Sequence, residues 1–171
     1  MKNLIFFFLI FISLKTSLMA SEKKAYFAGG CFWCVEEAFE KTKGVSKAIS
    51  GYTGGQVENP TYEQVTYNET GHYEAVEVVY DPNVISYEQL LNVFWKNIDP
   101  YDAKGQFCDK GSSYLTAVFY QNDLEKKLFQ ESKVKLGKSD IDKFVTNIKK
   151  LDVFYPAEDY HQDYYKKNPI R

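Results

Sequence analysis

Residues 28–39 read Ala28-Gly29-Gly30-Cys31-Phe32-Trp33-Cys34-Val35-Glu36-Glu37-Ala38-Phe39. The apolar run at 25–28 that leads into this stretch predicts a strand, and the two glycines end that strand. Phe32, Val35 and Phe39 then recur at three- and four-residue spacing, which predicts a helix with one apolar face. Cys31 is therefore expected at the point where a strand stops and a helix begins.

The predicted position of Cys31 favours thiol chemistry. Backbone N–H groups in the first turn of a helix lack intrahelical partners, and the helix dipole there favours negative charge. A cysteine at such a position is expected to have a lowered pKa and more thiolate. The alternative is an unreactive core cysteine, because cysteine is among the most buried residue types. The paired glycines and a second thiol at Cys34 favour the reactive interpretation.

The composition indicates one folded domain without a metal or nucleic-acid partner. The chain has 171 residues, of which 44% are hydrophobic and 26% charged, as is typical of folded domains with a sizeable core. The formal net charge is -2 and there is no basic stripe, so nucleic-acid binding is not expected. Cys31 and Cys34 have no second matching pair, because Cys108, His72 and His161 are scattered, and a zinc site is not expected.

Residues 1–20 are typical of a secretory signal peptide. Lys2 precedes an apolar segment from Leu4 to Leu14, and small residues lead to Ala20. This segment is shorter than the ~20 apolar residues that a membrane-spanning helix needs. We expect cleavage after Ala20, export to the periplasm and no stable membrane association of the mature domain, residues 21–171. An uncleaved segment that anchors the chain in a membrane is the alternative.

The rest of the chain alternates between strand and helix patterns. Strands are predicted at 24–28, 45–52, 72–80, 115–120 and 144–148, and helices at 32–41, 87–98 and 123–135, with Ser86 as a helix cap. A long polar loop at 56–68 is expected to be functional, and the tail at 153–171 shows no periodicity. This order predicts an α+β fold, a ferredoxin-like two-layer sandwich with a mixed sheet, helices on one face and an irregular C-terminal tail.

Short segments spread along the whole chain carry a family resemblance. They are GCFWC at 30–34, GYTGG at 51–55, NPTY at 59–62, TGHYEAV at 70–76, YDP at 80–82, DKGSSY at 109–114 and KKNP at 166–169. Taken in order, they closely resemble the A-type peptide-methionine sulfoxide reductases, from about Ala25 to Pro169. The chain departs from many relatives at Leu115, where an arginine is expected, and this difference is expected to alter a salt bridge or the substrate rim.

The resemblance implies reduction of the S-epimer of methionine sulfoxide, free or in proteins, to methionine, and so the repair of oxidised proteins. Cys31 would attack the sulfoxide sulfur and become a sulfenic acid. Cys34, or alternatively Cys108, would then form a disulfide with it, which a thioredoxin-like partner would reduce. The resemblance implies neither a metal nor an organic cofactor.

The resemblance also assigns the groups around the sulfoxide. Phe32 and Trp33 would frame its methyl group, with plain core packing as the alternative. The residues that would serve its oxygen are Tyr62, Glu74, Asp109 and Tyr114. Glu74 would be the proton donor, because a carboxyl group enclosed by aromatic rings has a raised pKa. From spacing alone, Glu74 could instead be a solvated strand residue and Asp109 a turn residue.

Two other functions also fit these residues. A general thiol–disulfide oxidoreductase would use Cys31 and Cys34, and a non-catalytic module could bind methionine-containing peptides in an aromatic groove. Release of methionine from its sulfoxide in a single turnover, without added reductant, is expected of the reductase alone.

Overall fold

The computed structural model of the protein describes residues 21–67 and 70–169. The predicted signal peptide, and the membrane anchor that is its alternative, lie at residues 1–20 and so outside the described residues. Within the described part of the chain, no helix combines the length and the apolar character needed to cross a bilayer.

The centre of the fold is a six-stranded mixed sheet. The strands of the chain are β1 (Lys23–Gly29), β2 (Val45–Thr53), β3 (Tyr73–Tyr80), β4 (Gly105–Gln106), β5 (Asp109–Lys110), β6 (Thr116–Tyr120), β7 (Asn147–Lys150) and β8 (Phe154–Pro156). The sheet has the order β7-β6-β1-β3-β2-β8, and β4 pairs with β5 in a separate hairpin. Only the pairing of β6 with β7 is parallel among the described strands.

The helices bury most of the core against one face of this sheet. They are α1 (Phe32–Glu40), α2 (Tyr62–Tyr67), α3 (Tyr87–Lys96), α4 (Asp123–Gly137) and α5 (Tyr164–Lys167), with 3-10 turns at Ser112–Tyr114 and Lys138–Lys143. The predicted apolar face of α1 is buried, and α3 begins at the predicted cap. At this cap, the Ser86 hydroxyl accepts from Gln89 N–H and the Gln89 side chain accepts from Ser86 N–H. The α+β class with a mixed sheet is confirmed.

A smaller aromatic cluster covers the other face of the sheet. Its buried members are Tyr26, Ala28, Tyr73, Ala75, Ala117 and Phe119. Leu115 and Phe154 pack against the edge of this cluster. Leu115 therefore serves as an apolar packing residue between the 3-10 turn that ends at Tyr114 and the first residue of β6.

The structure corrects three predictions about loops and the tail. The loop predicted at 56–68 contains α2, and the segment at 101–113, where no strand is predicted, contains the β4–β5 hairpin. The tail is not wholly irregular, because β8 extends the sheet beside β2 and α5 packs on α1. These elements have two to six residues, so they are too short to produce a periodic pattern. The last predicted strand also begins later, at Asn147, because Phe144 packs into the core.

Candidate active site

The turn from β1 into α1 places Cys31 immediately before the first helical residue. Gly30 has φ +83, in the left-handed region that favours glycine. A Cβ at this position would lie 2.5 Å from the Cβ of Gln106, so the turn packs tightly against the β4–β5 hairpin. Cys31 is half-buried and occupies the N-cap position of α1, but its side chain caps no helix N–H.

The first N–H of the helix is bound by Glu74 instead of by the thiol. Phe32 N–H donates to Glu74 Oε2 at 3.0 Å. Glu74 lies in β3 beside Tyr52 of β2, and the alternation of the strand places it on the same face as Val76, toward α1. A solvated strand position is therefore excluded for Glu74, which is 1% exposed.

Burial makes Glu74 a proton donor near neutral pH. Loss of solvent raises the pKa of Glu74 to about 8, and the hydrogen bond from Phe32 N–H lowers it only in part. The charges of Asp109 and Cys34 raise the pKa of Glu74 further. Its carboxyl group is therefore mostly protonated at pH 7, with Oε2 accepting from the backbone and Oε1 left to hold the proton.

The two cysteines of the turn lie close together, with Cys34 N–H donating to Cys31 C=O at 3.1 Å. The pKa of Cys31 is raised, first by its side-chain interaction with Cys34 and then by burial, with the Cys34 and Glu74 charges also contributing. The pKa of Cys34 is lowered to about 6, first by its side-chain interaction with Cys31. The prediction of a lowered pKa at Cys31 is therefore wrong for the reduced pair. The physical reason is that Cys34 takes the negative charge of the pair, while the Cys31 thiol is partly desolvated.

Tyr62 and Tyr114 converge on the same carboxyl group from different segments. Tyr62 begins α2, and its ring stacks on Phe32 with the ring centroids 6.2 Å apart. Tyr114 ends a 3-10 turn, and its hydroxyl interacts with that of Tyr62. Burial raises the pKa of both phenols, and the Glu74 carboxylate is the next cause in each case. Both hydroxyls therefore stay protonated and remain able to donate hydrogen bonds.

The β4–β5 hairpin brings Asp109 to this site. Gln106 is buried and fixes the hairpin, because its side chain accepts from Asp99 N–H at 2.7 Å and donates to Asp99 C=O at 2.9 Å. Asp109 is close enough for its charge to raise the pKa of Glu74 and of Tyr114. Cys108 lies at the exposed tip of the hairpin, as a free thiol.

The two aromatic residues of the turn have different surroundings. Phe32 is 1% exposed and belongs to the main core. Trp33 is half-buried, and its ring stacks on Tyr164 with the centroids 3.7 Å apart and the planes at 7°. One face of the Trp33 ring is thus covered by the C-terminal tail, and its Nε1 donates to His161 Nδ1 at 3.2 Å.

The tail contributes residues that sequence reasoning missed. The Glu158 carboxylate accepts from Tyr52 OH at 2.9 Å and from Tyr62 N–H at 3.0 Å. His161 is buried between the rings of Trp33 and Tyr62, and this burial lowers its pKa despite the nearby charge of Glu158. His161 is therefore neutral and acts as a hydrogen-bond acceptor for Trp33. The only sequence signal was the density of polar and aromatic residues at 158–165.

A metal centre finds no support in the residues described. Over 21–67 and 70–169, no group of three or more histidine, cysteine, aspartate or glutamate side chains is arranged to hold an ion.

Comparison with known proteins gives concordant matches. The family model for peptide methionine sulfoxide reductase matches residues 23–171. The peptide methionine sulfoxide reductase MsrA of Bacillus licheniformis is 55% identical over 156 residues, which cover 90% of this chain and 86% of that protein. The crystal structure of reduced Mxr1 from Saccharomyces cerevisiae has a TM-score of 0.82 at 30% identity, over 88% of this chain and 87% of that one. Mxr1 in complex with Trx2 has a TM-score of 0.59 at 23% identity, over 84% of each chain.

Proposed function

This chain belongs to the peptide methionine sulfoxide reductase family, and from this premise we propose how its residues divide the reduction of methionine sulfoxide to methionine. The observation that carries the proposal is the buried carboxyl group of Glu74, whose pKa is raised to about 8 and which accepts from the backbone N–H of Phe32, the residue next to Cys31. A sulfoxide needs both an electron-pair donor for its sulfur and a proton for its oxygen. The site offers both at the start of α1, where Cys31 precedes the helix and Glu74 of β3 accepts from Phe32 N–H.

In the first step, Cys31 reduces the sulfoxide. Its sulfur attacks the sulfoxide sulfur while Glu74 gives a proton to the sulfoxide oxygen. The S–O bond of the substrate then breaks, the oxygen passes to Cys31 as a sulfenic acid, and methionine leaves. The thiol proton of Cys31 passes to Glu74 and replaces the proton that Glu74 gave. The sulfoxide gains two electrons in this step, and the Cys31 sulfur loses the same two electrons.

In this proposal the aromatic residues orient the substrate, and Asp109, whose charge acts on Glu74 and Tyr114, orients the hydrogen bonds of the site. Phe32 and Trp33 frame the methyl group, supported by their adjacent positions at the start of α1, where their ring centroids lie 6.0 Å apart. Tyr62 and Tyr114 donate hydrogen bonds to the oxygen, supported by their raised pKa values next to Glu74. The S-epimer is the expected substrate, as the resemblance to the A-type peptide-methionine sulfoxide reductases implies.

In the second step, Cys34 closes the disulfide. Its thiolate attacks the Cys31 sulfenic acid, the S–S bond forms, and the oxygen leaves as water after taking up a proton. The position of Cys34 in the first turn after Cys31, with Cys34 N–H donating to Cys31 C=O at 3.1 Å, and the lowered pKa of Cys34 support this assignment over Cys108. A dithiol reductant of thioredoxin type then returns both cysteines to thiols, and Mxr1, which shares the fold, has been crystallised with Trx2.

A single-turnover assay without added reductant tests the proposed function. One equivalent of methionine is expected from methionine S-sulfoxide and none from the R-epimer, measured by chromatography of the amino acid. A thiol–disulfide oxidoreductase or a peptide-binding module would release no methionine from either epimer, and that result would refute the proposal.

The same assay distinguishes the two candidate resolving thiols. Cys34→Ser is expected to release one equivalent of methionine and then stop, because its sulfenic acid finds no partner thiol. Cys108→Ser is expected to cycle with thioredoxin as the wild-type protein does. Continued cycling in Cys34→Ser together with arrest in Cys108→Ser would contradict the assignment.

Two further proposals concern the fold label and the location. The order of the four central antiparallel strands, β6-β1-β3-β2, with α1 and α3 as crossovers, supports a ferredoxin-like core.

The signal-like pattern at residues 1–20 and a family match that starts at residue 23 support export to the periplasm. The mass of the mature N-terminus checks cleavage after Ala20, and an intact Met1 would favour the membrane anchor.

A further inference from the structure

Tyr165, to which neither the sequence nor the family resemblance gives a role, contacts the second thiol of the active-site turn. Its hydroxyl oxygen lies 3.4 Å from Cys34 Sγ. A thiolate has no proton to donate, so the hydroxyl is the donor whenever Cys34 is ionised. Cys34 is exposed, and this contact therefore replaces part of the water that would otherwise solvate its sulfur.

The short helix that carries Tyr165 is fixed to α1 on both sides of the contact. Immediately before it, Tyr164 stacks on Trp33. Immediately after it, Lys166 Nζ bonds to Glu40 Oε1 at 2.6 Å and to Asp163 Oδ1 at 2.9 Å. The position of the Tyr165 hydroxyl near Cys34 is thus fixed by contacts of the adjacent residues Tyr164 and Lys166 with α1, the helix that carries the thiol.

We propose that Tyr165 is a positioning residue for the resolving step, donating a hydrogen bond that stabilises the Cys34 thiolate before it attacks the Cys31 sulfenic acid. The inference rests on the proposed function, because it assumes that Cys34 forms the disulfide. In that step the S–S bond forms, the sulfenic oxygen leaves as water, and the Cys34 sulfur gives up the electron pair that Tyr165 had stabilised. The pKa shifts of the two groups are opposite, as a hydrogen bond from the hydroxyl to the thiolate requires. The pKa of Cys34 is lowered, first by Cys31 and in part by Tyr165, and the pKa of Tyr165 is raised, first by the hydrogen bond with Cys34.

The hydrogen bond has two opposing effects on the rate of disulfide formation. It increases the thiolate fraction at low pH, but it lowers the nucleophilicity of each thiolate, with a Brønsted coefficient of about 0.4–0.5. The first effect disappears once Cys34 is fully ionised, whereas the second remains. Loss of the hydroxyl is therefore expected to slow the resolving step below the pKa of Cys34 and to accelerate it above that pKa, which no merely structural role predicts.

The first measurement is the pH dependence of Cys34 alkylation by iodoacetamide in a Cys31→Ser background, followed by mass spectrometry of the labelled peptide. Adding Tyr165→Phe is expected to move the midpoint upward by roughly 0.5 to 1 pH unit, as expected for a partly exposed hydrogen bond to a charged group. Tyr160→Phe, which removes an exposed hydroxyl from the same segment, is the matched control and should leave the midpoint in place. An unchanged midpoint in Tyr165→Phe, or an equal change in both variants, would overturn the inference.

The second measurement follows disulfide formation after a single turnover with Cys31 present. Tyr165→Phe is expected to be about two- to threefold slower than wild type at pH 5 and about two- to threefold faster at pH 9, with the same methionine burst. A rate that changes in one direction across this range would overturn the inference. Failure of the wild-type protein to release methionine would refute the proposed function instead, and it would leave the alkylation result interpretable on its own.

Discussion

Replacement of Cys31 by serine is expected to abolish methionine formation and leave the protein folded. A serine hydroxyl has the same shape but is not oxidised by a sulfoxide, so the substrate oxygen has no acceptor. We expect the single-turnover rate of methionine formation to fall by at least about three orders of magnitude, as for removal of other essential nucleophiles. Chromatographic detection of methionine over hours of incubation measures this loss.

The expected stability of Cys31→Ser separates a chemical defect from a folding defect. Cys31 is half-buried and makes no side-chain cap to α1, so its free energy of unfolding should change by less than about 1 kcal/mol. Urea unfolding followed by circular dichroism measures this change. Cys108→Ser, at the exposed hairpin tip, is the matched control and should keep the full methionine burst. A burst in Cys31→Ser would disprove its role as nucleophile.

Glu74→Gln is expected to slow methionine formation by about 10²–10⁴-fold, the range typical of a lost general acid. Glutamine preserves the shape and still accepts from Phe32 N–H, so the change removes the proton and little else. Glu77→Gln is the matched control, because Glu77 lies in the same strand but on the opposite face, where it accepts from Tyr26 OH at 2.7 Å. Equal loss in both variants would show that Glu74 has no special role.

The pH dependence gives Glu74 a second signature. An exposed glutamate loses its proton near pH 4.5, whereas the pKa of Glu74 in the folded protein is raised to about 8. The stability that the protonated form contributes is thus fully present below about pH 4.5 and is lost as the pH rises toward 8, an effect of up to about 4 to 5 kcal/mol. The neutral amide of Glu74→Gln has no such dependence.

We therefore expect Glu74→Gln to gain stability relative to the wild-type protein between pH 5 and pH 8.5. Urea unfolding of both proteins at these two pH values measures the difference. Over the same interval, methionine formation by the wild-type protein should fall as the pH passes through about 8, because Glu74 then loses the proton it donates. A stability difference that is independent of pH would contradict the raised pKa.

The predictable features were those determined by local sequence. The glycine pair, the helical spacing after Cys31 and the Ser86 cap each depend on residues a few positions apart, and the structure contains all three. The burial of Glu74 could be anticipated only through the family resemblance. The charged side chain of Glu74 alone favours a solvent-exposed position. In the structure it is buried, because α1 and the neighbouring strands cover it.

The unpredictable features depend on contacts between distant segments. The pKa of Cys31 could not be predicted from its helix position, because it is raised first by Cys34 and then by burial among segments distant in sequence. One of these segments carries Glu74, which binds the first helix N–H 42 residues later in the chain than Phe32. Trp33 and His161 are likewise 128 residues apart, and Cys34 and Tyr165 are 131 residues apart. No local periodicity records such pairings.

The late position of the tail in the chain has a consequence for biosynthesis. Synthesis proceeds from the N-terminus, so both thiols of the turn emerge long before Glu158, His161 and Tyr165. A nascent chain that stops before the tail carries a reactive cysteine pair without the groups that orient Trp33 and Tyr62 or contact Cys34. The complete catalytic centre therefore exists only after residues 158–165 have been made, well over a hundred residues after the cysteine pair.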